Sequence, residues 1–299
     1  MNHNFKEYLI SFFCVIIAFL VSILAAQNGS LYNKYPIIVI CMVLSFVIHW
    51  VVFIPSYFFK TEKFYDITGT VAYISILLMT SYLVNIINQE GLLTRSLLLI
   101  VFVMIWALRL GLFLLFRVIN VGEDKRFEDA KESFSKFFMF FTISALWVFL
   151  TIVNVLTMII NNSDSVTDLF FIAGFSISII GFILEIVADK QKRNFRVDSS
   201  NKGQFITSGL WRFSRHPNYF GEIMIWVGIS IVTFPVLVGW QLITLISPIF
   251  VMLLLTKVSG INLLEASADD RWGNDIKYQD YKEKTSVLIP FIKKRVKNK

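Results

Sequence analysis

The chain has 299 residues, 56% of them hydrophobic and 16% charged, with 30 Phe and a mean hydropathy of +0.67, which excludes an ordinary water-soluble domain. Its net charge of +7 is carried between and after long apolar runs, where cytoplasmic loops collect Lys and Arg, so membrane lipids and not nucleic acid are the expected partners. Cys14 and Cys41, the two cysteines, lie inside apolar runs without CxxC or Cys/His spacing. They read as small apolar fillers, and neither a disulfide framework nor a metal site is expected.

In chain order, eight stretches reach or approach the roughly 20 apolar residues a spanning helix needs: about Leu9–Ala26, Tyr35–Phe59, Ile67–Ile87, Leu92–Ile119, Phe137–Ile160, Leu169–Ala188, Tyr219–Val238 and Trp240–Val258. The first lacks a clear small-residue cleavage site and is read as a membrane helix. The expected fold is therefore all-α, a polytopic transmembrane bundle of about eight spans. Lys60 and Lys63, Lys125 to Lys136, Lys190 to Arg215 and the tail after Lys257 alternate with loops around Asn28, Glu90 and Asp164 that are nearly free of Lys and Arg. The positive-inside rule then places both termini in the cytoplasm. Three hydrophilic pieces fall on that side, Gly122 to Lys136, Asp189 to Asn218, and Ser259 to Lys299.

Several polar residues sit where a bilayer penalises them. Arg109, near the middle of the fourth run, costs about 2.5–3.5 kcal/mol on insertion scales unless compensated. It either lines a polar cavity and holds an anionic group or pairs with a carboxylate such as Asp66 or Glu185. Asp66 opens the third run and, taken alone, reads as a helix-start carboxylate. Glu185 and Asp189 are four apart at the end of the sixth run, and Lys192, Arg193 and Arg196 continue that face. His49, beside Trp50 in an apolar run, reads as a packed histidine.

The densest cluster runs from Gly209 through Trp211, Arg212, Arg215, His216, Pro217, Asn218 and Tyr219 to Glu222. Pro217 suits the first turn of a helix, which makes His216 a candidate cap and places Asn218, Tyr219 and Glu222 in the first turns. A helix start beside two arginines suits a phosphate group; the alternative is anchoring of Arg212 and Arg215 to lipid headgroups. No GxGxxG or P-loop string occurs, so a nucleotide would be held by other means.

This stretch closely resembles the C-terminal signature of the steroid 5-alpha-reductase-like membrane family, in its branch known by the domain of unknown function DUF1295. Phe64 to Gly69, Trp106 to Gly111 leading to Arg117, Gly122 to Phe127, the Glu185–Phe195 stretch, Gly260 to Glu265, and Tyr278, Tyr281 and Thr285 to Pro290 agree with it in order. Ala266 to Ile276 departs from it, being longer and more polar.

The resemblance spans roughly Phe64 to Pro290; after N-terminal membrane helices over residues 1–60, it implies a reductase-like membrane domain over 61–299 with a cytoplasm-facing cofactor cavity and a C-terminal tail. It further implies an oxidoreductase that reduces a carbon–carbon double bond, conjugated to a carbonyl, in a lipophilic small molecule with NADPH as donor. Motif by motif, it assigns cofactor binding to Arg109, Arg117, Asp189, Arg196, Arg212, Arg215, His216, Asn218 and Tyr219. Asp66, Glu222 and Tyr219 are its candidates for the catalytic, substrate end. The alternative is an S-adenosylmethionine-dependent methyltransferase of the isoprenylcysteine or phospholipid type, which shares an Arg-His-Pro-x-Tyr string; Asn218, Glu222, Asp66 and Arg109 favour the reductase. A lipid or sterol binder without catalysis is the third reading.

Overall fold

In the computed structural model, residues 3–89, 91–121, 127–162, 168–258 and 260–291 are described. Ten α-helices occur among them: α1 His3–Ala25, α2 Ile37–Phe58, α3 Tyr65–Asn88, α4 Thr94–Val121, α5 Phe134–Asn161, α6 Leu169–Val197, α7 Pro217–Thr233, α8 Ile246–Leu253, α9 Ile261–Trp272 and α10 Ile276–Lys284. A two-residue hairpin, Leu31–Tyr32 against Tyr35–Pro36, joins α1 to α2. Among the described residues, eight helical stretches are long and apolar enough to cross a membrane. Their outward faces carry Phe12, Leu20, Leu78, Phe116, Ile183 and other exposed large apolar side chains, which a bilayer solvates and water does not. The chain is a multi-pass membrane protein.

The sixth and eighth stretches are more than simple apolar spans. Helix α6 continues nine residues past Ala188, because Asp189-Lys190-Gln191-Lys192-Arg193 ends the apolar run without ending the helical preference. The eighth stretch is broken into a 3₁₀ segment Gly239–Leu245, α8, and a π-helical turn Leu254–Val258. Pro248 in the first turn of α8 has no N–H to continue the preceding ladder, so the helix restarts around it.

The chain divides into two compact units, Met1–Phe171 with Thr233–Ser247, and Ile172–Val232 with Pro248–Lys299. In the first, α5 is central, packed by α1, α2 and α3, and every residue from Phe149 to Ile160 is buried. An aromatic cluster of Phe53, Phe127, Phe137 and Phe141 closes one end of it. Ser45 Oγ donates to Ala145 O at 2.8 Å and Trp50 Nε1 to Thr142 Oγ1 at 3.1 Å, satisfying polar groups that lipid would leave bare.

In the second unit, α6 and α7 meet through small residues. A Cβ on Gly221 would lie 2.6 Å from Gly181 O, and one on Gly228 would lie 2.4 Å from Gly174 O. Ser178 Oγ donates across this seam to Ile225 O at 3.0 Å. Such close approach substitutes packing for the hydrophobic drive that lipid removes. It also fixes where α7 begins relative to the end of α6, which is where the polar residues lie.

Candidate functional site

Helix α7 starts at Pro217, with Phe220 N donating to His216 O at 3.1 Å as its first closing bond. His216 therefore occupies the cap position expected of it, but its ring does not cap the helix. The imidazole Nε2 bonds Glu265 Oε1 of α9 at 2.8 Å, and Arg215 Nη2 reaches the other oxygen of that carboxylate at 3.1 Å. His216 and Tyr219 stack with centroids 5.8 Å apart and planes 13° from parallel. Asn218 Nδ2 donates to Asp189 Oδ1 of α6 at 3.2 Å. Asp189, Arg215, His216, Asn218 and Tyr219 are thus brought to one loop-to-helix turn, and Glu222 lies one turn further on, 6% exposed.

The loop before α7 is held from both sides. Gly209 adopts φ +61°, and its missing side chain leaves room for Gln191, whose Oε1 accepts from Leu210 N at 2.9 Å. Trp211 Nε1 donates to Ala188 O at 3.1 Å, and Lys192 Nζ lies 4.4 Å over the Trp211 ring. From the tail, Tyr281 OH donates to Trp211 O at 2.7 Å, Arg215 N to Ser286 O at 2.9 Å, and Ser214 Oγ to Leu288 O at 2.7 Å. The polar stretch Ala266–Ile276 forms the end of α9 and the turn into α10, where Asp275 accepts from Lys277 N at 2.8 Å. Trp272, Tyr278 and Tyr281 pack around Phe205.

Burial sets the protonation of these groups. It holds the His216 imidazole below its ordinary range, with Lys192 and Arg215 acting the same way and Glu265 opposing. Burial likewise holds the Tyr281 phenol above its ordinary range, so it remains a donor. A cleft of about 870 Å³ between residues 203–213 and the tail is lined by Arg212, Phe205, Phe213, Lys277, Lys284 and Phe291 among others. Arg212 is exposed there, its guanidinium 5.3 Å over Phe213.

Arg196, Asp66 and Arg109 lie on α6, α3 and α4. Arg196 is exposed in the last turn of α6. Asp66, in the first turn of α3, lines a cavity of about 90 Å³ in the first unit with Tyr65, Thr70, Tyr73, Trp106 and Trp147. Thr70 Oγ1 donates to Ala107 O at 3.2 Å there, an approach that Gly111 permits, since a Cβ on it would lie 1.9 Å from Thr70 Oγ1. Arg109 of α4 lies with its guanidinium 5.5 Å over the Phe113 ring. The Arg117 side chain and Gly122 to Arg126 lie outside the described residues. Along α6, Glu185 and Asp189 are buried, Lys192 is half-buried and Arg193 and Arg196 are exposed, so the charged strip runs from the packed seam out to solvent. Among the described residues no group of three or more His, Cys, Asp or Glu is placed to hold a metal ion.

Sequence reading missed Glu265 as a site residue. Its signal was the Gly260–Glu265 string, but 49 positions separate it from His216, and no local spacing links the two.

Known proteins agree with the motifs. The rat "3-oxo-5-alpha-steroid 4-dehydrogenase 1" is 28% identical over 129 residues, 43% of this chain and 44% of the rat protein. The mouse protein of that name is 27% identical over 129 residues, 43% of this chain and 45% of that protein, and the human one 34% over 73, 24% of this chain and 28% of that protein. The matched stretch therefore spans less than half of these relatives' length. No solved structure matches the chain. Residues 52–285 match the family described as "Protein of unknown function (DUF1295)", and with most of its length covered the chain belongs to that family, the branch of the steroid 5-alpha-reductase-like proteins that its motifs resemble.

Proposed function

We propose that this protein is a membrane-bound reductase that uses NADPH to saturate a carbon–carbon double bond, conjugated to a carbonyl, in a lipophilic substrate. The observation that carries the reading is the start of α7, where Asp189, Arg215, His216, Asn218 and Tyr219 converge on one turn. Cationic, amide and aromatic groups at a helix start form a donor set suited to the phosphates and amide of a dinucleotide. His216 Nδ1, buried and without a hydrogen-bond partner among the described residues, adds an acceptor beside these donors. The name of the curated relatives, a 4-dehydrogenase of 3-oxo-5-alpha-steroids, describes hydrogen exchange beside a ketone and supports the same reaction class.

Asp189, Arg212, Arg215, His216, Asn218 and Tyr219 hold the cofactor in this reading, with Arg196 at the solvent end of α6 and Arg109 and Arg117 as further contacts. NADPH, when bound, supplies a hydride. Reduction of an enone also needs a donor on the carbonyl oxygen and a proton for the neighbouring carbon. Tyr219 and Glu222 are the candidates for that end in the second unit, and Asp66, in its cavity, is the candidate in the first. The side marked by Lys and Arg is taken as cytoplasmic, where the cofactor enters, and the apolar substrate arrives from the bilayer.

Thermal unfolding of the detergent-purified chain tests the reading. NADPH at 100 times its dissociation constant stabilises by about 2.7 kcal/mol if it binds the folded state alone, and S-adenosylmethionine is expected to do nothing. The reverse pattern identifies a methyltransferase and overturns the proposal; stabilisation by neither, with lipids alone acting, identifies a lipid binder.

A further inference from the structure

Glu265 is outside the residues proposed to hold the cofactor, yet two of those residues end on its carboxylate. Oε1 lies 2.8 Å from His216 Nε2 and Oε2 lies 3.1 Å from Arg215 Nη2. An ionised carboxylate only accepts, so the proton of the neutral ring sits on Nε2 and Nδ1 is left as the bare acceptor. Nδ1 is buried, and among the described residues it has no partner that competes to set the tautomer. The His216 ring in turn lies flat against Tyr219, so the plane that Glu265 imposes on the imidazole is passed to the tyrosine. The backbone of this loop is fixed separately, by Arg215 N donating to Ser286 O at 2.9 Å, which leaves Glu265 the task of aiming side chains.

We propose that Glu265 is a positioning residue of the cofactor site, fixing the tautomer and plane of His216, and through it the ring of Tyr219, while holding the Arg215 guanidinium. The inference rests on the reductase reading. The residue acts through His216 and Arg215. Groups charged or titratable around the ring are Tyr219 from α7, Glu265 from α9, Arg215 from the loop and Lys192 from α6.

The test measures dissociation constants of NADPH and of S-adenosylmethionine for the full chain and its E265Q and E265D variants, across pH. The wild type is expected to bind NADPH, and E265Q to bind it about tenfold or more weakly, the scale of one charge-assisted hydrogen bond. Removing the carboxylate also removes the partner that favours the protonated ring, so the acid limb of the E265Q binding profile moves to lower pH. E265D keeps the charge on a shorter arm and recovers part of both effects. Wild-type affinity in E265Q, or weaker binding with an unmoved acid limb, overturns the proposal. If E265Q does not fold, E265D decides alone, a displaced limb supporting and an unmoved limb refuting. A wild type that binds S-adenosylmethionine and not NADPH defeats the reductase reading, and this inference with it, by a result distinct from those.

Discussion

Asn218 Nδ2 donates to Asp189 Oδ1 at 3.2 Å, so the first turn of α7 is tied by a side-chain bond to the point where α6 leaves its apolar run. That bond joins two residues the sequence had placed in one site from separate motifs. Asn218→Ala removes it at a stability cost of about 1 kcal/mol and is expected to weaken NADPH binding about tenfold while the chain still folds. Titration of the purified variant checks this; unchanged affinity would remove Asn218 from the site.

The seam between α6 and α7 predicts an unequal response to added methyl groups. Gly221→Ala places a Cβ 2.6 Å from Gly181 O and 2.8 Å from Glu185 N. The helices must part, at about 1–3 kcal/mol, and the start of α7 moves with them. Gly69→Ala meets only Val148 Cγ2 at 3.8 Å and is expected to be tolerated. Thermal unfolding of the two variants in one detergent compares them, and equal melting temperatures would contradict the seam.

Stability should fall on the acid side through His216. Burial holds its folded-state pKa below the ordinary 6.5, with Glu265 opposing and Lys192 and Arg215 adding to the depression. Unfolded chains therefore bind a proton near pH 6.5 that the folded site refuses, so this contribution is complete above that pH and is lost as pH falls below it. Melting temperatures from about pH 7.5 down to 5 are expected to drop less steeply for His216→Gln than for the wild type. Parallel curves would show that the ring does not titrate as described.

The substrate end separates by kinetics. Glu222→Gln or Asp66→Asn, whichever side chain serves the carbonyl or proton step, should lower turnover by roughly 10²–10⁴-fold and leave the NADPH dissociation constant within about twofold. A variant that loses cofactor affinity in proportion would instead be part of the binding set.

Much of this architecture is legible in the residues. Eight apolar runs of spanning length give eight helical stretches, since lipid leaves the backbone no other way to satisfy its polar groups. Pro217 marks the start of α7 because its fixed φ and missing N–H suit that one position. The apolar run of α6 stops at Ala188, and the helical face read on through Lys192, Arg193 and Arg196 extends to Val197. The broken eighth stretch is mostly apolar, and Pro248 and the flanking glycines are the hints of its restarts. Glu265 was invisible as a partner of His216, since the tail folds back through aromatic contacts of Phe205 with Trp272, Tyr278 and Tyr281 that no spacing encodes.

Hydride transfer from NADPH to a lipophilic enone is read most directly by isotope transfer. Purified chain is incubated with NADPH deuterated at the transferable position and a panel of lipophilic enones, and the products are weighed by mass spectrometry. The account predicts a product carrying one deuterium from the cofactor and one hydrogen from solvent, with stoichiometric NADPH oxidation that Asn218→Ala diminishes. Enones returned unchanged by a chain that binds NADPH, or a methylated product formed with S-adenosylmethionine, would contradict it.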